Sequence, residues 1–334
     1  MRKLVTVQKV LEKKSIEGAD RIEAVRINGW WVVTQKDQFK VGEYCIYFEV
    51  DSFLPIKPEF EFLLNGKSPK KMLYKGKEVE GIRLKTIKLK GQLSQGLVMP
   101  ITETMIIKEI DEDLSDYFGV ILYEQPVPPQ LQGYAKGNFP GFIPKTDEER
   151  IQNMTEIFNN YVATEKIDGT SATYYKKDGV FGVCSRNLEL VKGESIYWRI
   201  AEKYNLENII PDGLCFQGEI IGEGIQGNPL KQTGQDIYFF NVYNIESNTY
   251  LDFDEFLNIC EKLNLKTVPI INDNFSLPKN VDDMLWFAEG FAEGKSLLNP
   301  NVEREGVVVR SKNKINGERI SFKAISNTYL LNEK

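Results

Sequence analysis

The sequence predicts an α+β protein in two parts, a small β-barrel followed by a larger domain of antiparallel sheets and a few helices. Three observations carry this. Residues 1–120 break into short runs rich in Val, Ile, Tyr and Trp, such as LVTVQKV, IEAVRI, WWVVT and EYCIYFEV, between turns such as EGAD and KVGE. The stretch EQPVPPQLQGYAKGNFPGFIP, 124–144, is Pro- and Gly-rich and reads as a linker. Beyond it, helical periodicities alternate with further strand runs. At 334 residues the chain exceeds one ordinary domain.

The first part, residues 1–133 with its linker, holds five or so short strands, which suits an OB-like barrel. Within it IRLKTIKLKG alternates apolar and basic residues, so its apolar side is expected to face a core and its basic side water. The surrounding segment, 66–90, carries nine Lys or Arg and two Glu, a local balance of +7 on a chain of net charge −6. Arg83, Lys85, Lys88 and Lys90 are the candidates for gripping nucleic-acid phosphates. A solvated face is the competing reading.

Residues 134–334 form the second part. EERIQNMTEIFNNY places Ile151, Met154, Phe158 and Tyr161 on one helical face. The pieces YVATEKI, SATYYK, VFGVCS, LCFQGEII and IYFFNVYNI read as strands. DFDEFLNICEKLNL is a helix opened by Asp252 and Glu255 at capping-box spacing, and NVDDMLWFAEGFAEG is a second. GVVVRS and RISFKAIS are the last strands.

Composition narrows the chemistry. The chain has no histidine, which removes Ser-His-Asp and Cys-His catalysis and the common His-based zinc sites. Its four cysteines, Cys45, Cys184, Cys215 and Cys260, lie far apart and read as buried thiols. No apolar run approaches the roughly 18 residues that span a bilayer, so a cytoplasmic location without membrane contact is expected.

Catalysis must therefore run on Lys, Asp, Glu, Tyr, Arg or a metal. In EKIDGTS, 165–171, Lys166 and Asp168 are two residues apart and project into the same space. A lysine amine is nucleophilic only when neutral, which requires low polarity, nearby positive charge or a metal. Alone, this pattern also describes a surface turn. Glu219, in the apolar run FQGEIIG, is a carboxylate that is costly to bury unpaired.

EKIDG, SRN (185–187), FQGEIIGEG, YFFNVYNI, REGVVVR and RISFKAIS resemble, in order and spacing, motifs I, Ia, III, IIIa, IV and V of the covalent nucleotidyltransferases. GIRLKTIKLKGQLSQGL (81–97) and IPKTDEERIQN (143–153) extend the likeness to ATP-dependent RNA ligases with an OB domain before the nucleotidyltransferase (adenylyltransferase) domain. With 11 residues after Lys323, no C-terminal OB domain is expected.

The resemblance implies that Lys166 is the nucleophile that takes AMP from ATP. AMP then passes to an RNA 5′-phosphate, which a 3′-OH attacks. It implies Asp168, Glu305 and Glu219 around Mg²⁺ or Mn²⁺, Arg186 or Glu219 at the ribose, Phe240 on adenine and Lys323 at the α-phosphate. Arg150 is a further phosphate contact, and Glu165 and Gly169 flank the nucleophile in the ATP site. Many such ligases carry KxK in motif V; here Ser321 stands in the first position and Arg319 is the candidate replacement. RNA ends, in nicked duplex, are the expected substrate of a monomer. The alternatives are a ligase of DNA or DNA/RNA hybrid nicks, and a non-catalytic RNA-binding protein on the same fold.

Overall fold

The chain divides into two compact units, Met1–Val127 and Pro128–Lys334. The computed structural model describes residues 3–332 apart from 76, 103–108, 124–128, 147, 154–159, 277–280 and 315–318.

The first unit is built from short antiparallel strands. One three-stranded sheet joins Val5–Lys9, Tyr44–Phe48 and Leu97–Pro100, and another joins Glu12–Ser15, Ile22–Ile27 and Trp30–Gln35. EYCIYFEV reads as an almost unbroken apolar run because its strand is covered on both faces. Cys45 and Tyr47 enter a core with Val25, Trp30 and Phe39, while Ile46 and Phe48 enter one with Leu54, Phe60 and Phe118. Phe48 meets Phe60 and Phe118 edge-on, with ring centroids 5.5 and 5.0 Å apart. Instead of five or so strands, twelve short ones occur among this unit's described residues.

The basic segment departs from expectation. Ile82 and Leu84 are buried, but Thr86–Leu89 leaves the core as a two-stranded ribbon with Gln92–Gln95. Ile87 and Leu89 are therefore exposed, at 47% and 38%, beside exposed Lys88 and Lys90. Alternation fixes which residues share a face; it cannot say whether a core covers that face. Arg83 is engaged within the unit, 2.7 Å from Asp51 and stacked over Tyr123. Lys71 is partly neutralised by Glu78 and Glu80, at 2.9 and 3.3 Å.

The second unit is α+β, with two sheets. The larger has seven strands, in the order Ala135–Asn138, Leu188–Leu190, Val180–Ser185, Thr170–Lys177, Leu214–Gly222, Gln235–Asn244 and Thr249–Tyr250. The smaller has five, in the order Glu149–Arg150, Ser321–Ile325, Gly306–Ser311, Tyr161–Lys166 and Ile270–Phe275. All pair antiparallel except Glu149–Arg150, which runs parallel to Ser321–Ile325. Asp178–Gly179 closes a two-residue hairpin with both residues at positive φ, 52° and 74°, as a type I′ turn requires.

The capping box at Asp252 and Glu255 opens helix Phe253–Lys262, and Val281–Ala292 is helical as expected. The helix expected over EERIQNMTEIFNNY is not seen in the segment's described residues. Glu149–Arg150 is a strand, Ile151–Asn153 a 3-10 turn, and Tyr161 begins the Lys166 strand; Met154 and Phe158 lie outside the described residues. Sheet pairing overrides the helical spacing, although Ile151 and Tyr161 still share one core with Val307, Val309 and Phe322. Among the described residues no helix is long and apolar enough to cross a membrane.

That core carries the Lys166 sheet. Phe322 is fully buried and edge-on to Tyr161. Phe322→Ala should destabilise the second unit by about 3–5 kcal/mol, measured by urea unfolding. A loss below about 1 kcal/mol would show that this core collapses around the gap.

Candidate active site

Lys166 is the last residue of the strand Tyr161–Lys166 in the smaller sheet, and Thr170 opens the next strand in the larger one. The turn Ile167–Gly169 thus carries the chain from sheet to sheet. Gly169 is required there: a Cβ would lie 2.3 Å from the Ile220 carbonyl oxygen and 3.0 Å from Glu219 Cγ. This close approach brings Glu219 to the turn. Ser171 pairs with Glu219 on one side, while its neighbour Ala172 pairs with Ser185, the residue before Arg186.

Register places the remaining groups. Lys166 pairs with Gly306, which sets Glu305 beside it, and Lys166 Nζ donates to Glu305 Oε1 at 2.6 Å. Val308 lies between Thr164 and Lys323 in the pairing, so the pleat puts Lys166, Thr164 and Lys323 on one face. Arg150 is the parallel partner of Lys323 and is buried.

Burial is the largest influence on Lys166 and pulls its pKa down, yet Glu305, Glu219 and Asp168 together raise it above the usual lysine value. Burial also drives Glu219 up to about 8, with Glu305 and Asp168 adding to it and Lys166 and Arg186 opposing. Glu305 is raised by burial and by Asp168, against Lys166 and Lys323. Three acids crowd Lys166, and the further cations Arg186 and Lys323 offset them only weakly. Glu305 Oε2 is buried and has no hydrogen-bond partner among the described atoms. Both features fit a cation. Among the described residues no three acidic or cysteine side chains are grouped to ligate a metal directly, so the fit is to one held through water.

Phe239 and Phe240 split as adjacent strand residues must. Phe239 is fully buried against Tyr174 and Phe216. Phe240 sits at a bulge between the pairs Gln217–Asn241 and Gly218–Phe239, packs near Ile167 and Val268, and lies 5.9 Å from the Arg310 guanidinium.

An OB-fold domain profile matches residues 4–101, and the RNA ligase family profile matches residues 159–325. Solved structures of a Naegleria gruberi RNA ligase match nearly the whole chain at 36% identity. A lysine-to-alanine mutant with ATP and Mn superposes with a TM-score of 0.87, covering 98% of each chain. The same ligase with PPi gives 0.85, covering 99% of this chain and 98% of the other. No curated relative matches.

This chain belongs to the RNA ligase family.

Around the ligase cleft the structure gathers Lys166, Asp168, Glu219 and Glu305, with Arg186 and Lys323 close enough to act on them electrostatically. Glu165 is not with them. The pleat directs it to the opposite face, where its Oε2 accepts from the Leu297 amide at 2.7 Å. Arg319 stacks on Tyr250 at 3.8 Å, bonds Asn241 and lies 3.7 Å from Glu148, so its charge is already shared.

Two ligase residues escape sequence reasoning. Arg310 donates to Thr164 Oγ1 at 2.9 Å and lies 3.6 Å from Glu148. A buried arginine ending a valine run was the available signal. Tyr329 donates to Asp168 Oδ2 at 2.7 Å, which no local pattern announces.

Glu219 gives the ligase a pH signature. Its pKa lies near 8 in the folded chain and in the ordinary carboxylate range when unfolded. Between those values the folded state holds the extra proton, so its contribution to stability is full in acid and is lost as pH rises toward 8. Melting measured across pH 5–8 should show that decline in the wild type, and Glu219→Gln should flatten it. Identical profiles would place the titration elsewhere.

Proposed function

We propose that this ligase seals broken RNA, with nicks in duplex RNA as its substrate, through lysyl-AMP and RNA-adenylate intermediates. The observation that carries the reading is Lys166 Nζ held against Glu305 at 2.6 Å between Asp168 and Glu219. Solved Naegleria gruberi relatives hold ATP with Mn, and AMP with Mn. ATP is the nucleotide proposed here, with Mg²⁺ or Mn²⁺ beside it.

The amine of Lys166 attacks the α-phosphorus of ATP. A nitrogen–phosphorus bond forms, the bond to the β-phosphate oxygen breaks and pyrophosphate leaves. The ammonium must first lose a proton, and Glu305, already its hydrogen-bond partner, is the acceptor in place. AMP then passes from Lys166 to the RNA 5′-phosphate. Attack by the RNA 3′-OH forms the phosphodiester and expels AMP. Asp168, Glu219 and Glu305 would hold the divalent cation, which supplies positive charge that offsets the α-phosphate and favours the neutral amine.

Lys323, on the Lys166 face, meets the α-phosphate, with Arg150 beside it on the neighbouring strand. Phe240 offers its ring to adenine, and Arg186 lies on the ribose side with Glu219. In the first unit, exposed Lys88 and Lys90 at the ribbon tip supply charge for RNA phosphates, as do Lys67, Lys70, Lys75 and Lys77. The protein works as a monomer in this reading.

Lys166→Ala should fail to seal a nick bearing an ordinary 5′-phosphate but retain sealing of a nick already carrying 5′-adenylate, since the last step does not use the amine. Equal sealing of both by the mutant would remove Lys166 from the chemistry. All-RNA, hybrid and all-DNA nicks tested side by side decide the substrate; preference for DNA would overturn the RNA reading.

Lys88→Glu with Lys90→Glu should weaken nicked-RNA binding and flatten its log–log salt dependence by roughly 0.7–0.9 per lost phosphate contact. ATP labelling of the double mutant should be intact. Unchanged affinity and slope would make the ribbon a solvated face.

A further inference from the structure

The chain does not stop at its last strand. After Ser321–Ile325 it turns into a short helix, Asn327–Asn332, which is too short to persist without support. Its first turn is fastened from two sides. Ser326, itself buried, caps it by accepting from the Tyr329 amide at 3.0 Å. Glu293, one residue past the helix Val281–Ala292, accepts from the Asn327 and Thr328 amides at 2.7 and 3.2 Å, and from Ser326 Oγ at 2.9 Å.

The fastening delivers one side chain to the cleft. Tyr329 Oη donates to Asp168 Oδ2 at 2.7 Å, across 161 residues of sequence. A phenol bonded to one carboxylate oxygen restricts rotation of that carboxylate and lowers its basicity. Such partners of ligating groups typically govern affinity about 10–100-fold.

We propose that Tyr329 is a positioning residue for Asp168, which makes the clamped C-terminal helix a working part of the metal-dependent step. The proposal rests on the ligase reading of Asp168. Tyr329 fixes how Asp168 presents itself to the cation, and Glu293 fixes Tyr329.

The test uses the full-length chain with Tyr329→Phe, which removes one oxygen, and Glu293→Ala, which loosens the helix and leaves the phenol. Binding of Mn²⁺ alone is followed through the paramagnetic resonance of the free ion, with a non-hydrolysable ATP analogue present. Metal-free melting is recorded in parallel, and self-labelling is titrated with Mn²⁺. Tyr329→Phe should melt like the wild type, need about 10-fold more Mn²⁺ for half-maximal binding and labelling, and largely recover its labelling rate at saturating metal. Glu293→Ala should shift the Mn²⁺ requirement in the same direction, and the double mutant should be no worse than Tyr329→Phe, because both act through one contact. A wild-type Mn²⁺ requirement in Tyr329→Phe overturns the proposal. So does a shift that appears only in step with lost melting temperature. Should the wild type fail to label with ATP, the ligase reading fails, and the Mn²⁺ binding arm still decides the role of Tyr329.

Discussion

An ammonium and a carboxylate 2.6 Å apart in a part-buried cleft would ordinarily neutralise each other and end the matter. Lys166 and Glu305 do not, because Asp168 and Glu219 share the same space. Removing several like charges from water costs several kcal/mol per ion unless partners compensate. Here the partners fall short, and burial leaves Glu219 protonated near neutral pH. Such an imbalance persists where a ligand supplies the missing charge. The surrounding architecture serves to keep these groups together. The pairing of Lys166 with Gly306 sets Glu305, and a glycine at 169 admits the Glu219 strand.

Farther along the same sheet face the logic reverses. Arg310 and Arg319 both lean on Glu148, and burial draws the Arg310 pKa down to about 10 against that attraction. Arg310 is also tied to Thr164, two residues before Lys166, and lies beside the Phe240 ring. The Lys166 face of the smaller sheet thus runs from an acid-rich end at Lys166 to a cationic end at Arg310, beside Phe240 of the larger sheet.

Much of this was legible in the sequence, for particular reasons. The order of EKIDG, FQGEIIGEG and REGVVVR carried the family, and capping chemistry located the helix at Asp252, because both depend on residues close together in the chain. Where partners are distant, the sequence misled or stayed silent. The spacing of Ile151 and Tyr161 suggested a helix, but Glu149 and Arg150 pair with a strand more than 170 residues away. Alternation in IKLK promised a covered face, and the ribbon leaves Ile87 and Leu89 in water. The Tyr329–Asp168 bond depends on a helix clamped by Glu293, which nothing nearby in the sequence marks.

Lys166 is proposed to take AMP from ATP into a covalent bond. Intact mass of the purified chain after incubation with ATP and Mg²⁺, followed by peptide mapping, tests it most directly. A gain of one AMP, acid-labile as a phosphoramidate and located on the peptide bearing Lys166, is the predicted result. No gain in mass, or AMP on another residue, would contradict it.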